Sequence, residues 1–199
     1  MNSKKLHTTL GLILLLPLLA WSITGFVFLT KPGYEGAYEQ LSVKTYPLER
    51  SIEIQGNSPW HEWRLLRTVL GYHLLVKVDG TWQHLDPDSY QRRPKPDFEA
   101  LKELLNDSLA HNPTRYGRVQ TGLEGEFQTD TGIDIQFSWD NLSLRQRGRD
   151  TWMIDTLYKI HYLQWLGDRE LNKVFGVLGL LLLIAGSGVG FYTYLRRPR

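Results

Sequence analysis

The stretch LGLILLLPLLAWSITGFVFL, residues 10–29, decides the fold, because it contains no charged side chain. A helix rises about 1.5 Å per residue, so about 20 residues match a hydrocarbon core of roughly 30 Å. A second uncharged stretch, VFGVLGLLLLIAGSGVGFYTYL, covers residues 174–195. Both stretches are expected to be helical, because in lipid each backbone polar group must be satisfied within its own segment. The sequence therefore predicts two transmembrane helices with one folded domain between them.

The first apolar stretch has a second interpretation as a secretory signal peptide, because Lys4 and Lys5 precede it. Signal peptides have a shorter apolar region, about 7–15 residues, followed by a cleavage site of small residues. Here the run ends at the polar residues Thr30 and Lys31, followed by Pro32 and Gly33, with no such site. We predict an uncleaved anchor.

The charges favour one orientation. All 21 acidic residues lie between the two stretches together with 18 of the 23 basic residues, which gives the middle a net charge of −3. The tails carry only basic residues, namely Lys4, Lys5, Arg196, Arg197 and Arg199. Because basic tails favour the cytoplasmic side, we predict that both termini are cytoplasmic and that the domain is periplasmic in a bacterial inner membrane.

Composition also bears on function. The acidic middle domain lacks the concentrated basic surface that nucleic-acid binding requires. The absence of cysteine excludes disulfides, thiolate metal sites and cysteine catalysis. The acidic residues are scattered and no catalytic motif is present, so we predict no catalytic residues.

The middle domain is predicted to be α+β. Asp79 and Gly80 favour a two-residue turn in a hairpin over residues 72–86, which would pair Leu75 with His84. Apolar spacing predicts a helix that starts near Pro96 and stops at Asn112 and Pro113. Alternating patterns then predict a strand over 118–127 and a hairpin over 133–145. Residues 60–70 suit a helix or a strand equally.

Residues 151–166 form a predicted helix rich in Trp and Tyr, which prefer the level of the lipid headgroups. It is either an interfacial helix or a helix packed on the sheet. The predicted organisation is therefore a transmembrane helix over 1–30, an α+β domain over 31–150, an interfacial aromatic helix over 151–167, and a transmembrane helix with a basic tail over 168–199.

Several of these stretches resemble the PepSY-associated transmembrane family. The first span has the Leu6-His7 start, Gly11 four residues after the histidine, and the late Thr24-Gly25 pair. LYKIHYLQWLG (157–167) resembles the element before that family's next span. RTVLGYHLLVKVDGTWQHLDP (67–87) and NPTRYGRVQTG (112–122) resemble the extracytoplasmic part of short two-span members.

The resemblance implies a PepSY-like α+β domain between two transmembrane helices. Together with the two-span architecture and the missing catalytic motifs, it favours a non-enzymatic inner-membrane protein whose periplasmic domain binds or regulates a partner protein. Longer relatives include ferric-siderophore reductases with haem held by histidines. The alternative function is therefore a b-haem electron-transfer subunit in iron uptake, which would make the protein part of a membrane oxidoreductase.

The candidate haem ligands are His7 and His161, since b-type haem commonly takes two axial histidines. They are expected at opposite faces of the membrane, roughly 30 Å apart, so one chain cannot hold one haem between them. A symmetric dimer could bring together two copies of either residue. No bound cofactor is expected on the leading interpretation.

Two further patterns have alternative interpretations. His73, His84 and Asp86 share one face of the predicted hairpin, which would suit either a metal ion or simply solvent. Gly179, Gly186 and Gly190 form a stripe of small residues on the second span. Such a stripe lets helices approach closely, either within the chain or, alternatively, in a homodimer.

Overall fold

The computed structural model describes residues 3–55 and 59–196, so Arg197 and Arg199 of the basic tail lie outside the described residues. Two long helices, α1 (Ser3–Thr30) and α6 (Arg169–Leu195), contain the two apolar stretches. Both are long and apolar enough to cross a membrane. Their large apolar side chains are widely exposed, for example Leu16 at 76% and Ile184 at 69%. Burial in lipid removes the unfavourable contact with water that such surfaces would otherwise make.

The chain divides into two compact units. The helical unit comprises Met1–Tyr34 and Asp150–Arg199, and the α+β unit comprises Glu35–Arg149. The fold predicted from the sequence, an α+β region flanked by two candidate transmembrane helices, is confirmed.

Within the helical unit, α1 and α6 pack through a seven-residue repeat. His7, Leu14 and Trp21 recur at this interval along α1. Each lies against a glycine of α6: His7 on Gly190, Leu14 on Gly186 and Trp21 on Gly179. A seven-residue repeat keeps one seam facing a neighbouring helix, and the missing side chains on α6 allow the close approach.

Helix α5 (Arg149–His161) belongs largely to the helical unit. The chain then turns into α6, where the Asp168 side chain accepts a hydrogen bond from Leu171 N at 2.8 Å and caps the helix. The Asn172 side chain closes the turn by bonding both the N–H and the carbonyl of Leu166.

The α+β unit contains two antiparallel sheets. The first is formed by β1 (Trp60–Thr68), β2 (Gly71–Val78) and β3 (Thr81–Leu85), in that order. The predicted hairpin is confirmed, including the pairing of Leu75 with His84. Residues 60–68, for which helix and strand were equally compatible, form strand β1.

The second sheet has the order β4 (Val119–Leu123), β5 (Glu126–Thr129), β6 (Asp134–Ser138) and β7 (Ser143–Arg147). The prediction of one strand over 118–127 is wrong, because Glu124 and Gly125 take positive φ angles of 51° and 97° and turn the chain into a hairpin. The predicted β6–β7 hairpin is confirmed.

Helix α3 (Phe98–Leu109) is the predicted helix, and the side chain of Asp97 caps its first turn. A short helix α2 (Tyr34–Ala37) precedes the sheets, and α4 (Pro113–Tyr116) connects α3 to β4. The main core of the α+β unit consists of α3 leucines and inward side chains of both sheets: Leu101, Leu104, Leu105, Leu109, Leu75, Phe127, Ile135, Phe137 and Leu144.

Candidate functional site

The predicted histidine face of the first sheet is buried. His73 and His84 are both 0% exposed. Both contact the ring of Trp139, which follows β6: His73 packs edge-on, and the ring of His84 is tilted against it. The expectation of a solvated face is therefore wrong. The alternating pattern placed the side chains on one face but could not show that the second sheet covers it.

The two histidines form a continuous hydrogen-bonded chain. His84 Nδ1 lies 2.8 Å from the Trp139 carbonyl oxygen, which can only accept, so this nitrogen carries the proton. In neutral His84, Nε2 then accepts from His73 Nδ1 at 2.9 Å. His73 Nε2 in turn accepts from the Thr68 hydroxyl at 2.7 Å, and Thr68 Oγ1 accepts from Leu70 N at 3.1 Å. Every polar atom of both rings is thus satisfied when both rings are neutral.

Burial enforces that neutral state. It lowers the pKa of His73 to about 3, and the nearby Arg93 guanidinium adds to the effect. Burial likewise lowers the pKa of His84 to about 4, against the opposing hydrogen bond to the Trp139 carbonyl. Both shifts follow from the cost of charging a group away from water. This cluster links the two sheets, and its members are Thr68, His73, His84 and Trp139.

Asp86 does not join the histidines. Its Oδ1 accepts hydrogen bonds from Asp88 N at 3.1 Å and from both the N–H and hydroxyl of Ser89, at 2.9 and 3.0 Å. It stabilises the turn after β3. The metal interpretation of this face is not supported, since the described residues contain no group of three side chains suited to a metal ion.

A second polar cluster escaped the sequence analysis. Glu39 Oε2 accepts from the Tyr116 hydroxyl at 2.6 Å, while its Oε1 lies 2.7 Å from His111 Nε2. These bonds lower the pKa of Glu39, with the Tyr116 bond as the main cause. Burial and the same carboxylate raise the pKa of Tyr116 to about 12. No sequence signal links these residues, because 72 or more positions separate Glu39 from its partners.

The candidate haem ligands lie at the two ends of the helical unit. His161 Nδ1 lies 2.7 Å from the hydroxyl of Thr24 on α1, and its ring contacts Phe28 edge-on with centroids 5.0 Å apart. His7 lies against Gly190. His7 and Thr24 are 17 positions apart on α1, which corresponds to about 25 Å at the rise of an α-helix. One chain does not place both histidines around one haem, and ligation by either residue stays a prediction.

The edges of the two sheets differ in how they are covered. Isolated antiparallel bridges lie on three outer strands: Ser42 bonds beside Ser143 of β7, Tyr46 beside Arg67 of β1, and Arg92 beside Leu85 of β3. The fourth, β4, has no paired strand or bridge beyond β5 anywhere in 3–55 and 59–196, and helix α3 contacts it at its first residue, Val119.

The edge of β4 that lies away from β5 is capped at its start and open at its end. Asn106 Oδ1 accepts from Val119 N at 2.9 Å, which satisfies the first amide of the strand. The whole strand, VQTGL, contains neither charge nor proline, and its last residue, Leu123, is 78% exposed. Exposed edges are usually blocked by lysine, proline or a bulge. The bulge of β4 lies at its start, between Val119 and Thr121, so the end of the strand stays open.

Comparison with curated proteins and with solved structures finds no significant match. A family model described as the PepSY-associated TM region matches residues 3–197, essentially the whole chain. The match spans both long helices and the two sheets between them. The chain therefore belongs to the PepSY-associated transmembrane family.

Proposed function

We propose that this chain is a non-enzymatic protein of the bacterial inner membrane whose α+β unit lies in the periplasm and binds a partner protein. The single observation that carries the proposal is the open edge of β4. Unpaired strand backbone is a ready template for a further strand. Each of the three other outer strands is bridged to a flanking segment at one residue, and β4 has no such bridge among the described residues.

The rest of the α+β unit supports a binding role. Its buried histidines and Tyr116 are engaged in hydrogen bonds that hold the core together. The domain is also attached in sequence to a candidate transmembrane helix at both ends. Such an arrangement holds a binding surface at the membrane.

A photo-crosslinking amino acid in place of Leu123 tests the proposal in native membranes. We expect a crosslinked adduct with another protein at Leu123. The matched control is Arg145, which is exposed on β7 of the same sheet. Equal adduct yields at the two positions, or none at either, would contradict partner binding through β4.

The absence of native cysteine allows a direct test of location. A single cysteine introduced at Leu123 should react with a membrane-impermeant maleimide in intact cells. The same substitution at Ser3 should react only after lysis. The reverse pattern would overturn the proposed orientation.

A second candidate function is a b-haem electron-transfer subunit in iron uptake, and one observation favours it. The Thr24 hydroxyl fixes His161 through Nδ1, which is how ligand histidines are commonly oriented through their second nitrogen. Within the described part of the helical unit no histidine faces His161, so a second protomer or another subunit would have to provide the second ligand. A Soret band in the purified protein that is lost in His161→Ala or His7→Ala would support this function, and a preparation that stays colourless after haem addition would exclude it.

A further inference from the structure

We propose that the partner segment bound by β4 is an extended strand with lysine or arginine at alternate positions. This inference rests on the proposed function and specifies its partner. It is carried by the distribution of charge and apolar surface around the open edge.

The two faces of β4 can be assigned from its register with β5. Gly122 pairs with Phe127, whose ring is buried in the core, so Gly122 faces inward. Leu123 pairs with Glu126, which is exposed, so Leu123 faces outward together with Thr121. A strand added beyond β4 would alternate in the same way, with every second side chain on the outward face.

The outward face near this edge is acidic. Glu124 in the β4–β5 turn and Glu126 on β5 form no ion pair within the described part of the chain. Asp134 on β6 is paired with Arg147 of β7 and accepts a hydrogen bond from Gln128, so the acidic charge next to this edge comes from Glu124 and Glu126. The basic residues within the strands of this sheet, Arg145 and Arg147, lie on β7 at the opposite edge. Arg118 precedes β4, at the end of the strand far from Glu124 and Glu126. An incoming strand therefore meets negative charge on its outward side.

The geometry permits direct pairing with that charge. The added strand and β5, with β4 between them, would lie about 10 Å apart. A lysine or arginine on the added strand and Glu126 on β5 are long enough to meet above Leu123. The aliphatic part of the basic side chain would cover the exposed leucine. A basic residue can therefore pair with the glutamate and at the same time cover the exposed leucine.

The same charges disfavour a second copy of the chain as the occupant. Symmetric pairing of two β4 strands would bring Glu124 and Glu126 of both copies to one composite sheet, where like charges repel. A neutral or acidic strand would leave these carboxylates without partners. The observations therefore favour a basic partner.

Two short labelled peptides test the inference on the full chain in detergent. One alternates lysine with valine, and the matched control alternates glutamate with valine. We expect the lysine peptide to bind about tenfold or more tightly than the glutamate peptide at low salt, with the difference falling as salt rises. The double variant Glu124→Lys/Glu126→Lys should reverse the preference, whereas Glu53→Lys/Glu103→Lys, the same charge change at exposed positions elsewhere, should not.

Hydrogen exchange locates the peptide. Binding should slow amide exchange over residues 119–123 and leave residues 143–147 on β7 unchanged. Protection elsewhere, or equal affinity for both peptides, would overturn the inference. A peptide-free dimer with β4 already protected would also overturn it and identify a second copy as the occupant. Crosslinking at Leu123 to another protein without a peptide preference would leave the proposed function standing and remove only the basic partner.

Discussion

His73 and His84 share a hydrogen bond of 2.9 Å between Nδ1 and Nε2, although both side chains are fully buried. The direction of each bond in the chain is set by the Trp139 carbonyl, which can only accept. A proton added to His84 Nε2 would place two N–H donors against one another. A proton added to His73 Nε2 would remove the acceptor of the Thr68 hydroxyl. The pair is therefore stable in one protonation state.

The first prediction is a loss of stability in mild acid. The folded pKa values, about 3 for His73 and about 4 for His84, lie below the ordinary value of 6.5. Below pH 6.5 the unfolded chain takes up protons that the folded chain does not, so stability is present above that pH and falls below it. Each histidine should cost about 2 kcal/mol of unfolding free energy between pH 7 and pH 5.

Denaturant unfolding of the full chain in detergent, followed by tryptophan fluorescence at several pH values, measures this loss. The control is His73→Gln/His84→Gln, because an amide can donate and accept in the same chain without titrating. The variant should lose about 4 kcal/mol less than the native protein between pH 7 and pH 5. Parallel pH profiles for the two proteins would refute the role assigned to the pair.

The hairpin that carries these histidines shows what could be predicted from the sequence. Asp79 and Gly80 both take positive φ, as the turn type requires, and this fixes the register. Register places residues on a face, but the burial of that face depends on Trp139, 55 positions away from His84. Local patterns contain no information about such a contact.

The second prediction concerns Gly117, at the end of α4. Its φ of 56° and ψ of −129° are accessible almost only to glycine, and an added Cβ would lie 1.7 Å from Asp130 Oδ1. Gly117→Ala should therefore lower the unfolding free energy by about 3 kcal/mol or more. Gly80→Ala is the matched control, since φ there is also positive but nothing lies within 4 Å. It should cost about 1 kcal/mol, and equal losses in both variants would show that the Asp130 contact is unimportant.

The third prediction concerns the buried hydroxyl of Tyr116, which donates to Glu39 at 2.6 Å. Tyr116→Phe keeps the ring in the core but removes this charge-assisted bond, so the unfolding free energy should fall by about 1.5–3 kcal/mol. Glu39→Gln retains an acceptor for the hydroxyl and should cost less. A larger loss in Glu39→Gln than in Tyr116→Phe would indicate that the His111 contact, rather than the phenol, is the stabilising interaction.

The open edge of β4 was hidden from sequence reasoning for a physical reason. Strand pairing depends on neighbours in space. A run such as VQTGL has the same sequence pattern whether the strand lies in the centre or at the edge of a sheet. The Glu124-Gly125 pair was the missed local signal, because glycine permits the positive φ that a tight turn needs. The two spans were predictable because length and lack of charge are sufficient to identify a transmembrane helix. The glycine stripe of the second span was compatible with packing within the chain or in a homodimer.

The fourth prediction separates those two uses of the stripe. An added Cβ at Gly190 would lie 2.7 Å from His7 Cε1, and one at Gly186 would lie 3.2 Å from Leu14 Cδ1, whereas nothing lies within 4 Å of the corresponding atom at Gly188. Leucine at Gly186 or Gly190 should therefore lower the melting temperature of the helical unit of the full chain in detergent, because the helices can no longer approach. Gly188→Leu should leave it nearly unchanged. Crosslinking in membranes gives the second readout: if the stripe packs only within the chain, Gly186→Leu leaves the yield of crosslinked dimer unchanged, and if it is a dimer seam the yield falls in Gly186→Leu but not in Gly188→Leu.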